Sequence, residues 1–394
     1  MKRNSIHILH TTQGLLAPDA PVGGRAGAFR FSIMNGKYLI RLMLTAGASL
    51  SVGAAKSPNA PAADRGLEVI NERTVEAHLS FLASDVLEGR EAGTRGGRTA
   101  AEYIRAVLKE LGVAPFYADY LQEFEALGPV REKGGDFEVH PDSVAAYRLA
   151  ASYRRLALQN VIGYVEGERK DEFTVIGAHY DHLGIDPLLV GDQIYNGADD
   201  NAAGVASLLQ VAKAVQASGQ KPLRSLIFAF WDGEEVNYLG SEYFVLNFGE
   251  TGRIKAYINL DMISREGLLP TLYPQFAIPA STAENTAVGR QFHLAYTADY
   301  SPAAEALLHG IAERGLRIEP KPAVIEHGSR GSDYLAFSLR NVPVLWFFTG
   351  LHPDYHTPGD EVSGVDLDKL VEITKAVYLS LQSASPNRRC PPAP

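Results

Sequence analysis

The sequence predicts an α/β fold built around a largely parallel central sheet. From Asn160 onward, short runs rich in Val, Ile and Phe alternate with longer segments of helical spacing, as in strands joined by helical crossovers. Four of the five strand candidates that could lie at the centre run towards an acidic or histidine residue. With 394 residues, 46% of them hydrophobic, the chain is long enough to bury a large core.

Local patterns place the elements in chain order. The strand candidates are residues 160–164, 173–178, 225–231, 256–260 and 342–348. The helix candidates are residues 71–82, 99–111, 202–217, 240–248, 302–315 and 367–383. A Gly-rich loop, LEGREAGTRGGR, leads into the second of these helices, and the sequence contains no internal repeat.

Two further segments lack a clear pattern. Residues 112–159 are interpreted as a loop, because fewer than about 50 residues are too few for a further domain of typical size. Residues 264–300 are interpreted either as a long loop that shapes a cleft or as a disordered segment. We therefore expect one catalytic domain, residues 71–385.

The N-terminal region has the layout of a secretory signal peptide. Lys37 and Arg41 precede an uncharged stretch, residues 42–55, that ends in small residues. This stretch is shorter than the roughly 20 apolar residues of a membrane-spanning helix, so we expect cleavage and no stable membrane anchor. A disordered or helical arm is the alternative. The predicted division is an uncertain upstream extension (1–33), a signal peptide (34–55), a linker (56–70) and a Pro-rich tail (386–394). The protein is expected to be exported, either periplasmic or extracellular.

Charge and cysteine content exclude several classes of partner and site. The 37 Lys plus Arg residues against 46 Asp plus Glu leave a net charge of −9 without any basic block. Nucleic acid and anionic membrane surfaces are therefore not expected as partners. The only cysteine, Cys390, lies in the tail, so any metal must be held by histidines and carboxylates.

Residues that can bind metals gather at one edge of the predicted sheet. The carboxyl ends of the strands open into a crevice there, so residues far apart in sequence converge. Histidines and carboxylates suit a pair of zinc ions or a similar divalent metal, and a shared carboxylate is needed to bridge two ions. The candidates are His179, Asp261 and His356, together with one of Asp199 and Asp200 and one of Glu234 and Glu235.

The residues next to these candidates suggest supporting roles. His179 and Asp181 lie on the same side of an extended segment, so Asp181 is expected to accept the proton of the imidazole nitrogen that binds no metal. Neighbouring side chains of an extended segment diverge, so only one of Glu234 and Glu235 binds metal. The other is a candidate general base for a metal-activated water.

Five motifs in register carry a resemblance to a known family. They are GAHYDHLG, NGADDNAAGV, WDGEEVNYLGSEYF, INLDMIS and YHTPGDE, and they closely resemble the co-catalytic zinc aminopeptidases of metallopeptidase clan MH. That family includes bacterial secreted leucyl aminopeptidases, glutamate carboxypeptidase relatives and glutaminyl cyclases. The resemblance covers residues 72–383. It implies a three-layer α/β/α zinc exopeptidase fold, phosphorylase/hydrolase-like, with a mixed, largely parallel central sheet.

The resemblance also implies roles for individual residues. Two zinc ions per chain are expected, with Asp200 as the bridge, Glu234 as the general base and Asp181 as an orienting residue. The implied metal ligands are His179, Asp200, Glu235, Asp261 and His356. The implied enzyme is a metallopeptidase, an aminopeptidase that hydrolyses the N-terminal bond of peptides with a free N-terminus.

Three alternatives stay open. A glutaminyl cyclase is an acyltransferase on the same framework that works with a single zinc. A carboxypeptidase or aminoacylase-like hydrolase would need a basic group for the substrate carboxylate, and Arg265, Arg290 and Arg330 have no assigned role. A catalytically inactive binding relative is the third, although such a protein would be free to lose the ligands that this chain retains.

Overall fold

The computed structural model describes residues 62–130, 137–267 and 286–383. The predicted upstream extension, signal peptide and tail lie outside the described residues. All of the described residues belong to one compact unit of the chain. Among the helices of the described ranges, none is both long enough and apolar enough to cross a membrane.

The strands and helices of the described residues are as follows. The strands are β1 (Ala114–Pro115), β2 (Leu121–Gly128), β3 (Arg154–Val165), β4 (Arg169–His179), β5 (Gly184–Ile185), β6 (Ile194–Tyr195), β7 (Arg224–Trp231), β8 (Ile254–Leu260), β9 (Gln291–Thr297), β10 (Glu319–Ile325) and β11 (Val344–Phe348). The α-helices are α1 (Ala62–Glu68), α2 (Glu72–Leu82), α3 (Arg95–Glu110), α4 (Pro141–Leu149), α5 (Gly204–Ser218), α6 (Leu239–Asn247), α7 (Ser301–Glu313), α8 (Tyr334–Ser338) and α9 (Leu367–Ser383). Tighter or wider helical turns occur at Asp85–Arg90, Ala118–Tyr120, Ala198–Ala203, Thr251–Arg253, Ala298–Tyr300 and Val362–Gly364.

Nine strands form one mixed sheet. Their order is β1-β3-β7-β4-β8-β11-β9-β10, with β2 also paired to β3. The pairs from β7 through β4 and β8 to β11 are parallel, as is β9 with β10, and the remaining pairs are antiparallel. Because the four central strands run in one direction, their carboxyl ends meet at one edge. The predicted mixed sheet is confirmed, with its parallel part at the centre.

Apolar cores cover both faces of this sheet, because successive residues of a strand point to opposite faces. In β7, Phe228 and Phe230 belong to a core shared with α2, α3, α5, α7 and α9. Ile227 and Trp231, which alternate with them, belong to a core shared with α6 and α8. The predicted three-layer α/β/α architecture is therefore confirmed.

The predicted strands and helices occur with shifted boundaries. The helix predicted at residues 99–111 begins at Arg95 instead, and runs to Glu110. The reason is a cap: the Thr94 hydroxyl accepts a hydrogen bond from the backbone N–H of Gly97 at 3.4 Å. Asn71 caps α2 in the same way, accepting from the backbone N–H of Thr74 at 3.2 Å.

Three segments that we predicted to be irregular contain regular structure. The predicted linker 56–70 contains α1, which Arg65 fastens to α5 by donating to the carbonyl of Ser218 at 2.7 Å. The predicted loop 112–159 contains β2 and α4. The segment 264–300 contains the buried strand β9, whereas its residues 268–285 lie outside the described residues.

Candidate metal centre

The parallel strands bring the predicted ligands to one edge of the sheet. His179 is the last residue of β4, and Asp261 directly follows β8. Glu234 and Glu235 lie in the turn after β7, and His356 lies in the loop after β11. These four strands are neighbours with parallel pairing, which is why residues from distant parts of the chain meet there.

The fifth predicted ligand, Asp200, lies in the wide helical turn directly before α5 and is 4% exposed. Asp360 holds this turn, because its carboxylate accepts hydrogen bonds from the backbone N–H groups of Asp199 at 3.1 Å and Asp200 at 3.0 Å. The side-chain amide of Asn201 donates to the carbonyl of Leu260 at 2.9 Å, which joins the turn to the end of β8.

The two carboxylate oxygens of Asp200 face two different histidines. Oδ1 lies 3.2 Å from Nε2 of His179, and Oδ2 lies 3.2 Å from Nε2 of His356. Asp261 Oδ1 lies 3.4 Å from the same nitrogen of His179, and Glu235 Oε2 lies 3.2 Å from that of His356. The five residues thus form two groups of three that share Asp200.

The atoms of these two groups fit divalent metal ions. Nε2 of His179, Nε2 of His356 and Oδ1 of Asp261 are buried without an aligned hydrogen-bond partner in the described part of the chain. Buried polar atoms are rarely left without a partner, so such a cluster calls for a ligand. Imidazole nitrogens and carboxylate oxygens are zinc ligands, and His179, Asp200 and Asp261 each offer an atom close enough to share one ion.

Comparison with known proteins identifies the family. The model of peptidase family M28 matches residues 160–380, which include all five predicted ligands. The chain belongs to peptidase family M28. The family resemblance inferred from the five motifs, and with it the metallopeptidase class, is therefore confirmed.

Relatives of this M28 chain include fungal leucine aminopeptidases. The probable leucine aminopeptidase 2 of Aspergillus fumigatus is 26% identical over 323 residues, covering 76% of this chain and 56% of that protein. Leucine aminopeptidase 2 of Trichophyton rubrum is 26% identical over 244 residues, covering 56% of this chain and 44% of that protein. The chain spans about half the length of the curated relatives that it matches.

Solved structures share the fold of the M28 chain. The aminopeptidase from Aneurinibacillus sp. strain AM-1 superimposes with a TM-score of 0.58 at 16% identity, covering 82% of this chain and 96% of that chain. The glutaminyl cyclase of Porphyromonas gingivalis superimposes with a TM-score of 0.55 at 19% identity, covering 80% of this chain and 98% of that chain.

Negative charge is concentrated at the candidate metal centre. Burial by itself would lower the pKa of His179, but the carboxylates around it, Glu234 foremost, hold that pKa well above its usual range. Burial likewise opposes the charge on His356, yet Asp200 and Glu235 raise its pKa to about 10. In the metal-free chain, protons on these histidines offset the negative charge. A divalent cation would replace those protons, since histidines must be deprotonated to bind metal.

The two adjacent glutamates have opposite electrostatic environments. Burial raises the pKa of the Glu234 carboxyl well above its usual range, and the charges of Glu235 and Asp261 raise it further. Burial also acts on Glu235, but contacts with His182 and His356 lower its pKa to about 2. Neighbouring groups whose pKa values are pushed apart are suited to different tasks. Glu234 is able to hold a proton, and Glu235 stays ionised.

Asp181 supports the turn that carries both glutamates. Its Oδ1 accepts the backbone N–H of Glu234 at 3.1 Å, and its Oδ2 accepts that of Glu235 at 3.3 Å. Nδ1 of His179 lies 3.1 Å from the backbone carbonyl oxygen of Asp181 and 3.7 Å from its carboxylate. This differs from the predicted contact between imidazole and carboxylate. The carbonyl orients the ring, because the carboxylate is turned towards the two amides.

Two further buried residues contact the candidate metal centre or the segments that carry its ligands. Nδ1 of His182 lies 2.6 Å from Oε1 of Glu235. The sequence could have suggested this contact, because His182 lies three residues after His179 in the motif HYDH. Arg90 is 1% exposed and donates to the carbonyls of Tyr180 and Asn196 at 2.9 and 2.7 Å. Sequence reasoning missed Arg90, because it lies in a Gly-rich loop whose composition is typical of a solvated surface.

A cavity of about 30 Å³ opens beside the centre. Its lining combines polar groups, among them Asp200, Glu234 and Asp261, with the apolar side chains of Met262, Phe348 and Leu351. Polar groups that converge against an apolar wall are typical of small-molecule sites in enzymes.

Proposed function

We propose that this M28 family member is an exported aminopeptidase whose centre holds two zinc ions. The observation that carries the proposal is the position of Asp200, with one carboxylate oxygen 3.2 Å from His179 and the other 3.2 Å from His356. That geometry supports a bridging role for Asp200. Asp261 would complete the ligand set of the first ion, and Glu235 that of the second.

The chain's own residues account for the proton transfers. Zinc bound at this centre supplies a Lewis acid that polarises the scissile carbonyl and lowers the pKa of water from about 15.7 towards about 7. Glu234 takes the proton of the attacking water and later gives it to the leaving amine. Asp181 fixes the position of Glu234 through the backbone amide of the turn.

The small cavity and the relatives support one class of substrate. Met262, Phe348 and Leu351 form an apolar wall beside the centre, which favours an apolar N-terminal side chain. The names of the leucine aminopeptidase relatives support the same preference. The proposed substrates are therefore peptides with a free N-terminus and an apolar first residue.

Glu234→Gln tests this proposal. We expect kcat for leucine p-nitroanilide to fall by about 10²–10⁴-fold, because the general base is lost, while the zinc content stays at two per chain. Glu313→Gln is the matched control, because it removes the same charge from the exposed surface of α7 and leaves turnover unchanged.

Three results would contradict the proposal. Full turnover by the Glu234→Gln variant would remove the general base from the mechanism. One zinc per chain, combined with cyclisation of an N-terminal Gln peptide, would replace the aminopeptidase by a glutaminyl cyclase. No turnover and no bound metal would indicate a binding protein.

Export is the second part of the proposal. The pattern that supports it is Lys37 and Arg41 followed by the uncharged residues 42–55. Fractionation of cells that express the full chain, followed by N-terminal sequencing, tests it. We expect a periplasmic or extracellular protein that begins close to residue 56. A cytoplasmic protein that retains residues 34–55 would contradict export.

A further inference from the structure

Three arginines could bind a substrate carboxylate, and their surroundings differ. Arg265 is neutralised, because its guanidinium lies 2.5 Å from Asp354 and 3.3 Å from Asp360. Arg290 is neutralised by an ion pair with Asp368. Arg330 has no carboxylate within ion-pair distance among the described residues. Its guanidinium instead donates to the amide oxygen of Asn237 at 3.1 Å.

Arg330 lines a second cavity, and the residue that follows it in the chain lines the small cavity at the metal centre. Together with Tyr238, Arg330 lines a space of about 340 Å³, at the small end of the roughly 300–1,000 Å³ of ligand pockets. The next residue, Gly331, lines the small cavity that contains Glu234 and Asp261. One loop therefore borders both cavities.

Neighbouring residues contact both the backbone and the guanidinium of Arg330. The hydroxyl of the buried Tyr334 donates to the carbonyl of Arg330 at 3.0 Å, and the guanidinium carbon lies 5.9 Å from the ring centroid of Tyr238. Asn237 and Tyr238 have φ values of +84° and +58°. Strained backbone of this kind persists only where the surroundings hold it, and it is common at ligand sites.

The other charges of the larger cavity do not form a general positive field. Glu242 also lines it, but is neutralised by Arg340 through two contacts of 2.7 and 2.9 Å. Glu138 adds one negative charge to the lining. An anion would therefore be held by direct contact with the fork of Arg330, as in two-point binding of carboxylates.

We propose that Arg330 binds the C-terminal carboxylate of short peptides, so that the enzyme prefers di- and tripeptides with a free C-terminus. This inference rests on the proposed aminopeptidase function. The preference arises because a short peptide places its carboxylate within reach of the larger cavity. A longer peptide, or one with an amidated C-terminus, gains no such contact.

Paired substrates test this inference on the full zinc-loaded chain. Leu-Gly and Leu-Gly amide differ only in the C-terminal charge, and we expect wild-type kcat/KM to be about tenfold higher for Leu-Gly, mainly through KM. Arg330→Gln should bring this ratio close to one. Arg330→Lys should retain part of it, because the charge remains and the fork is lost. Added salt should reduce the wild-type ratio, since Arg330 is exposed.

Arg169→Gln is the matched control, because Arg169 is the first residue of β4 and lies roughly 30 Å along the strand from His179. For the Arg169→Gln variant, the ratio of kcat/KM for Leu-Gly to kcat/KM for Leu-Gly amide should equal that of the wild-type chain. Equal wild-type turnover of Leu-Gly and its amide would overturn the inference. So would an Arg330→Gln variant that loses activity on both substrates to the same extent. Failure of the wild-type chain to hydrolyse leucine p-nitroanilide would instead overturn the proposed function.

Discussion

Arg90→Met is expected to weaken both the fold and the metal centre. The buried guanidinium donates to four backbone carbonyls at 2.5–3.0 Å, those of Leu82, Tyr180, Asn196 and Gly197. Tyr180 follows the ligand His179, and Gly197 immediately precedes the turn that carries Asp200. One side chain therefore joins two of the three segments that supply the first group of ligands, those that carry His179 and Asp200.

The size of the effect follows from these contacts. Each hydrogen bond from a charged donor contributes about 1.5–3 kcal/mol, and Met would leave the four carbonyls without this donor. Desolvation of the guanidinium, which also lowers its pKa to about 10, offsets part of that gain. We therefore expect the metal-free variant to lose about 3–5 kcal/mol of unfolding free energy. Zinc affinity should fall as well, because orienting contacts around metal ligands typically contribute about 10–100-fold.

Urea denaturation of chelator-treated protein measures the first effect, and zinc titration by calorimetry measures the second. Arg95→Met is the control, because the Arg95 side chain is 77% exposed and pairs with Glu88 at the surface. The Arg95→Met substitution should lower the unfolding free energy by less than about 1 kcal/mol, and it should not change the affinity for zinc. If Arg90→Met costs no more than Arg95→Met in either measurement, the buried guanidinium does not hold the centre together.

Four further substitutions have effects whose direction the structure determines. Gly96→Ala should lower the thermal midpoint, because its Cβ would collide with the carbonyl oxygen of Leu87, whereas Gly310→Ala in α7 meets no atom within 4 Å and should stabilise by about 0.4–1 kcal/mol. If the thermal midpoints of the Gly96→Ala and Gly310→Ala variants move in the same direction, this explanation is wrong. Asp360→Asn should weaken zinc binding about 10–100-fold, because Asp360 holds the amides of the Asp200 turn; an unchanged titration curve would exclude that role. The pKa of His356 is raised from 6.5 to about 10, so in metal-free protein its stabilising contribution is complete below pH 6.5 and is lost as pH rises through about 10. In the His356→Gln variant, the unfolding free energy should therefore depend less on pH between about 6.5 and about 10. An unchanged pH dependence would show that the pKa of His356 is not raised.

Strands that carry strong local signals were predictable from the sequence. β4, β7, β8 and β11 each end in a mostly apolar run, because both faces of the sheet are buried along that part of the strand. β9 and β10 were missed. β10 is an edge strand that contains Pro320 and Pro322, and β9 carries the buried His293 within its apolar run. Pairing between these strands, rather than local composition, makes both of them part of the sheet.

The sequence by itself determined the family, the layered fold and the set of residues from which a metal centre could be built. These features depend on apolar periodicity and on short motifs, which are local in the chain. Only the tertiary structure decided which charges are paired. Arg265 meets Asp360 from 95 residues away, Arg90 meets carbonyls about as far along the chain, and Arg330 meets no carboxylate among the described residues. Electrostatic pairing depends on distances of a few ångströms between residues remote in sequence, and only folding of the chain sets those distances.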